Sequence, residues 1–489
     1  MNKLNKIKTA TLAAFALVVA SCNSWLEVQP DDRIMSEDLF KDRAGFLVAL
    51  NGVYASLNSP YLYGGHLTAG MIDVMGQYYD CSSMSGQGNG HDLSDFRGYS
   101  YVMTKPKELI DSVWRKSYKL IGDCNVIIER CGEGNPVLPD NYYRLIKGEA
   151  IALRAWLHLD LLRFFGPVWS LKEESAIPYV RSSDRAVQPL LTGEQALALV
   201  IEDLTEASTL LSTVDPVLTD GPKNYPGEAI ANGNDWNYRQ HRLNYFAVRL
   251  VLARAYLWGG NKTEAGKVAR DVIARANNPE RRFFPLTGVG LQGLVEDRIF
   301  SREVFFALYN TSRTEMIYNK FFAPTLSANS VLAMFANTSE RLPYTYDDQN
   351  DYRYKMWSPV VINGLKFSLS SKYGESGPFH LIPLIRLSEA YLIAAECEED
   401  VALAITNYLN PLRLARNCRN VTATTPEELT KLIDAEYLRE FVGEGQFFYY
   451  LKRNERLAIP DGAKANATRT ITRVQYKVPL PESETNPRV

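Results

Sequence analysis

The stretch Ile146–Val168, IKGEAIALRAWLHLDLLRFFGPV, decides the reading of this chain. Glu149, Ala150, Leu153, Ala155, Trp156 and Leu159 are helix formers or large apolar residues, and neither glycine nor proline interrupts them between Gly148 and Gly166. Leu153, Trp156, Leu157, Asp160 and Leu161 recur at i, i+3, i+4, i+7 and i+8, the rhythm of one helical face, and all but Asp160 are apolar. Gly166-Pro167 predicts the stop, with glycine in a left-handed cap and proline unable to continue the turn. Arg154 and Arg163 stand among these apolar residues. A buried guanidinium requires a carboxylate or several carbonyls, so ion pairing inside the fold is expected for them.

Outward from this helix, the pattern is of helical pairs broken by two long insertions. Helical segments read at 39–57 and 108–130, at 139–165 and 192–211, at 242–259 and 262–276, and at 383–397 and 400–417. Pro139 opens the central one, and Thr192 followed by Gln195 predicts a capping box for the next. In the third pair, Leu252, Ala253, Tyr256, Gly260, Ala265 and Ala269 match the small/large spacing of a tetratricopeptide repeat, where small residues let two helices approach and Gly260 makes the turn. Four such pairs predict a mainly α fold, a solenoid-like wall. Residues 58–104 and 283–380 lose the helical rhythm. They hold the tyrosines Tyr61, Tyr63, Tyr78 and Tyr79, the loop Ser82–Gly90, the β-prone run Glu303–Leu308 and the aromatic clusters around Tyr344 and Trp357. Loops of that length are usually functional or disordered, and the Glu303–Leu308 run is expected to be a short strand. Residues 427–453 read as one more helical region.

At the start, Lys3, Lys6 and Lys8 precede an apolar run from Thr9 to Val19, shorter than the about 20 residues a membrane-spanning helix requires. Val19-Ala20-Ser21-Cys22 follows and resembles the bacterial lipobox, where the cysteine is acylated and cleavage precedes it. Residues 1–21 are therefore expected to be a signal peptide and 22–489 a single body held to a membrane by lipid on Cys22. The other cysteines, Cys81, Cys124, Cys131, Cys397 and Cys418, are odd in number and show neither CxxC nor zinc spacing, so small buried residues are expected. No metal or cofactor site is expected. A formal net charge of −2 gives no basic face for nucleic acid.

The order Glu149, Leu153-Arg154-Ala155, Phe165-Gly166-Pro167-Val168 resembles the central signature of the SusD/RagB lipoproteins. Further elements agree. Ile382-Pro383-Leu384-Ile385-Arg386-Leu387-Ser388-Glu389-Ala390-Tyr391-Leu392 looks like the family's IPLxRLAExYL. Tyr408-Leu409-Asn410 with Leu412-Arg413, then Arg439-Glu440-Phe441 and Glu444-Gly445-Gln446, and finally Val478-Pro479-Leu480-Pro481, follow its later motifs. Phe447 and Tyr450 depart from it, where Arg and Asp are usual; local packing is expected of them. The resemblance implies a helical wall docked on a SusC-like TonB-dependent transporter of the outer membrane. It also implies a loop-rich face that captures oligosaccharide, or in some members peptide, with the lipoprotein as hinged lid on the outward side.

A sugar offers apolar C–H faces and a rim of hydroxyls, so an aromatic plane beside Asp, Asn, Gln or Arg is the matching surface. Tyr78, Tyr79 and Asp80 offer this in the first insertion. Tyr344 and Tyr346, beside Asp347, Asp348 and Asn350, offer it in the second, as do Tyr352, Tyr354 and Trp357 if extended. The competing account is that these rings clamp the loops onto the wall. Two other classes compete with this reading. A glycoside hydrolase would use paired carboxylates such as Asp347, Asp348 and Asp351, but loop acids are usually solvated and no Ser/His/Asp, zinc or phosphate-loop signature stands in the chain. A protein-binding repeat scaffold would not require two aromatic-rich insertions. A binding protein, not an enzyme, is the expectation.

Overall fold

The computed structural model describes residues 38–81, 93–184, 186–222, 237–288, 297–336, 340–375 and 380–486. The lipobox with Cys22 and the Ser82–Gly90 loop lie outside the described residues. The fold is mainly helical, a wall of helical hairpins whose second side is loop-rich and carries short strands.

The central helix, α3 (Asp140–Phe165), is buried at every position from Leu145 onward. The apolar stripe seen in the sequence is therefore only part of its contact surface. It is enclosed by α1 (Arg43–Ser56), α2 (Thr104–Cys131), α4 (Gly193–Leu211) and α5 (Tyr245–Trp258). Its charges tie those neighbours together. Arg154 donates to Asp203 of α4 at 2.8 Å and to Asn125 of α2 at 3.0 Å. Glu149 accepts from Tyr54 of α1 at 2.8 Å and from Arg239 at 2.6 Å. Arg163 pairs with Asp160 and lies 4.0 Å over the Tyr449 ring. Both arginines are ion-paired inside the fold, as their burial demands.

The helix stops differently from the reading above. Gly166 has φ −67° and ψ 166°, an extended and not a left-handed residue. Glycine is required there for space: a Cβ would stand 2.5 Å from the Leu162 carbonyl oxygen. α4 begins at the expected capping box, Thr192 and Gln195 each bonding the other's backbone N–H. α5 turns through Gly260, φ +74°, into α6 (Lys262–Ala276). α6 approaches α7 (Leu387–Cys397) closely at Gly266, where a Cβ would come 2.8 Å from the Cys397 Cβ. α8 spans 401–415 with a π-helical segment at Ala404–Leu409, and α9 (Pro426–Glu440) and α10 (Phe447–Arg453) follow.

One expected helical stretch is a strand. Residues 383–386 belong to β5 (Leu381–Arg386), which pairs antiparallel with β1 (Val304–Tyr309), and α7 begins only at Leu387. All six positions of β5 are buried, and a short run that is apolar throughout does not separate strand from helix by periodicity. A second sheet places β4 (Leu365–Ser370) between β2 (Phe335–Ala336) and β3 (Trp357–Ile362). The two insertions meet directly. The Asp80 N–H donates to the Ala333 carbonyl at 2.8 Å, and buried Arg341 donates to the carbonyls of Gln77 and Tyr78. Cys81, Cys124, Cys131 and Cys418 are buried free thiols and Cys397 is half-buried. Among the described residues no helix is long and apolar enough to cross a membrane.

Candidate functional site

The second insertion is held to the wall by a buried lattice of arginines and carboxylates. Arg416 makes a bidentate pair with Glu303 at 2.7 and 2.8 Å and also reaches Glu440 at 2.6 Å. Arg386 bonds Glu440 at 2.7 Å and Glu444 at 2.8 Å. Arg353 bonds Asp351 at 2.7 Å and Glu440 at 2.8 Å. Burial pushes Glu436 up, but Arg353, Arg439 and Arg413 outweigh it and hold this carboxyl down at about 2. Arg386, Arg413, Arg439, Glu440 and Glu444 come from motif segments far apart in the sequence. Their spacing gave no sign that they converge.

On this base the candidate residues separate into two groups. Tyr78, Tyr79, Asp80, Tyr346 and Trp357 are buried. Tyr78 and Tyr79 lie against Phe447 and Phe322 at 5.5 Å each, and the Trp357 Nε1–H donates to the Tyr346 hydroxyl at 2.9 Å. These four rings turn no face to solvent; they clamp the insertions onto the body. Phe447 is likewise a packing residue, and Tyr450 bonds Asp434. Tyr344, by contrast, is 63% exposed, and Tyr352 and Tyr354 are half-buried beside it in sequence. The last two do not share a side of a strand. The Asp351 carboxylate accepts the Arg353 N–H at 2.8 Å and a helical turn starts at Tyr354, so the segment curls. The Lys355 ammonium stands 5.8 Å over the Tyr352 ring, and Tyr354 meets Tyr346 edge-on at 5.8 Å.

Asp347 stands between these tyrosines in the sequence. Its side chain is 45% exposed, and it accepts from Arg413 and Arg439 at 3.0 Å each. Two guanidiniums fix a carboxylate whose outer edge still meets water. The sequence showed the aspartate but not its clamp, because Arg413 and Arg439 sit 66 and 92 residues away. The three acids that a hydrolase would use are all engaged by arginine: Asp347 as above, Asp348 by Arg419 and Asp351 by Arg353. Backbone N–H donors from Asn350 and Arg419 hold Asp348 below the usual carboxylate range, opposite to what a general acid requires. Among the described residues no group of His, Cys, Asp and Glu could hold a metal ion.

Two family models match the chain. One, described as starch-binding and associating with the outer membrane, covers residues 24–220, and the SusD family model covers 332–486. The chain belongs to the SusD/RagB family. Curated SusD/RagB relatives include SusD-like protein P38 of Formosa agariphila, 27% identical over 219 residues, 44% of this chain and 39% of that one. SusD-like protein P2 of the same organism is 25% identical over 158 residues, 32% of this chain and 30% of that one. The alignments thus span well under half the length of these relatives. Among solved structures, a SusD superfamily protein from Bacteroides thetaiotaomicron superposes with a TM-score of 0.69 at 22% identity, covering 91% of this chain and 98% of that one. A SusD-like carbohydrate binding protein from Bacteroides vulgatus gives 0.67 at 19% identity, covering 91% and 96%. These likenesses show the SusD fold.

Proposed function

We propose that this SusD-family chain is a surface lipoprotein, anchored through acylated Cys22, that binds oligosaccharide on its loop-rich face. It passes the sugar to a SusC-like TonB-dependent transporter and acts as the transporter's lid. Family membership supports the partner and the membrane. The observation that carries the ligand class is Tyr344, an exposed ring three residues before a carboxylate fixed by Arg413 and Arg439. The ring suits a sugar's C–H face, and the oriented carboxylate edge suits its hydroxyls. Calorimetry with oligosaccharides taken from a glycan array, with peptide controls, tests it. Tyr344→Ala is expected to weaken binding by about 1–3 kcal/mol, the range of an aromatic anchor. Unchanged affinity removes Tyr344 from the site, and binding of peptides alone replaces the ligand class. Co-purification of a large outer-membrane transporter from detergent extracts tests the lid; its absence overturns that part.

A further inference from the structure

At the far end of β1 from Glu303 lies a row of rings that the proposed site does not use. Tyr238 and His241 stack at 6.2 Å with an interplanar angle of 22°. His241 meets Tyr309 edge-on at 5.5 Å, and Tyr309 meets His380 edge-on at 5.7 Å. Tyr309, the last residue of β1, is 53% exposed, and the other three are half-buried. Five strand steps of about 3.3 Å put it about 17 Å from Val304, where Glu303 pairs with Arg416 and Arg416 accepts the Tyr352 N–H. The row and the Tyr344 surface are therefore separate places.

The row is mounted rigidly. Tyr238 and His241 flank Arg239 and Gln240, and those two are pinned in the interior. Arg239 bonds Asp215 at 2.9 Å and Glu149 at 2.6 Å, while Gln240 donates to the Val304 carbonyl at 3.0 Å. With the middle of the turn held inside, its two ends present their rings. Tyr238 accepts a left-handed backbone, φ +53°, to do so. On the other flank the Asn310 N–H donates to the His380 carbonyl at 2.7 Å, and the Asn58 amide donates to the Tyr309 carbonyl at 3.4 Å. Edge-on imidazoles on both sides set the Tyr309 ring in one orientation. Beside it, Asn58 Oδ1 and His241 Nδ1 are buried without a hydrogen-bond partner, and unmet polar atoms of this kind call for an explanation.

We propose that Tyr238, His241, Tyr309 and His380 form a second saccharide-binding site, with Tyr309 as the stacking platform. The inference rests on the glycan-binding reading above. Apolar ring faces edged by a phenol hydroxyl and imidazole nitrogens match a pyranose, which is apolar in the middle and polar at its rim. Because the rings are already held by the turn and the strand, little ordering accompanies binding.

The test is affinity electrophoresis of the full-length body in gels containing soluble starch, laminarin, xylan or pectin, with the strongest retarding polysaccharide carried forward. Tyr309→Ala and His380→Ala are each expected to weaken the apparent affinity about tenfold. Tyr309→Phe, which keeps the ring face, is expected to stay within about threefold of the parent. Thermal unfolding of the variants in parallel should match the parent, since Tyr309 is exposed. If the parent is retarded, Tyr344→Ala reduces that retardation, and Tyr309→Ala and His380→Ala leave it unchanged, the row is not a sugar site while the glycan-binding reading stands. If none of the four polysaccharides retards the parent and a glycan array gives no signal, that reading falls and the second site with it.

Discussion

Single residues here act through space more than through their place in a pattern. Gly166 is the clearest case: proline after it marks the end of α3, but the reason for glycine is the Leu162 carbonyl, 2.5 Å from where a Cβ would stand. Gly166→Ala must push that carbonyl or bend the turn, and a loss of about 1–3 kcal/mol is expected, measured as a lower urea midpoint at unchanged slope. A midpoint equal to the parent's would mean that the last turn of α3 yields freely. Trp357 carries a second residue-scale prediction. It is 7% exposed and hydrogen-bonded to Tyr346, so Trp357→Ala removes a packed ring and leaves a hydroxyl without its donor. The expected result is a stability loss of about 3–5 kcal/mol, with sugar affinity per folded molecule unchanged. Arg154 and Arg163 were legible, because a charge inside an apolar helix has few solutions. Tyr78, Tyr79, Tyr346 and Trp357 were not, because an aromatic in a loop serves equally as clamp or platform until its neighbours are known.

Elements show the same division. The helices of the wall could be read, since each carries its own period, cap and turn residue. The strand Leu381–Arg386 could not, because it is buried at every position and only its partner β1 distinguishes it from a helix. What joins these elements is the ionic lattice among Glu303, Arg353, Arg386, Arg416, Glu436, Glu440 and Glu444, and this makes acid the natural stress. Glu436 has a folded pKa of about 2, held below its ordinary value by Arg353, Arg439 and Arg413 against the push of burial. A carboxyl depressed on folding stabilises the fold above its unfolded pKa and loses that contribution as pH falls through the folded value. Stability is therefore expected to decline from about pH 4.5 toward pH 2, and Glu436→Gln should flatten that limb in pH-dependent denaturant titrations. An acid limb of the same steepness in the variant would remove Glu436 from the account. Truncating one cation tests the lattice at neutral pH. Among the described residues, Arg416→Met leaves Glu303 with only the Arg386 guanidinium, 3.6 Å away, takes one of three guanidiniums from Glu440, and is expected to cost about 3–5 kcal/mol.

At the scale of the molecule, the wall and the loop-rich face depend on each other: the two insertions bond each other at Asp80 and Ala333, and both are fastened to α9 and the residues after it. The Asp73 carboxylate in the first insertion accepts the N–H groups of Gly443 and Gly445, and from the second Arg353 reaches Glu440 and Lys372 reaches Glu444. A face tied in this way is a rigid surface carried by the body. Any large motion then belongs to the body as a whole. That gives the Cys22 reading a mechanical consequence. The described body is packed through contacts among residues 38–486, so Cys22→Ala is expected to leave folding and sugar affinity at parental values. The same change removes the proposed site of acylation, and with it an apolar attachment that would contribute about 0.8 kcal/mol for each buried methylene. The expected result is a variant recovered from the soluble fraction with the parent's unfolding temperature and glycan affinity, yet unable to support growth on the sugar it binds. Recovery in the membrane fraction would show that some other contact holds the protein there. Normal growth from a soluble variant would show that delivery does not require the body to be hinged at the membrane.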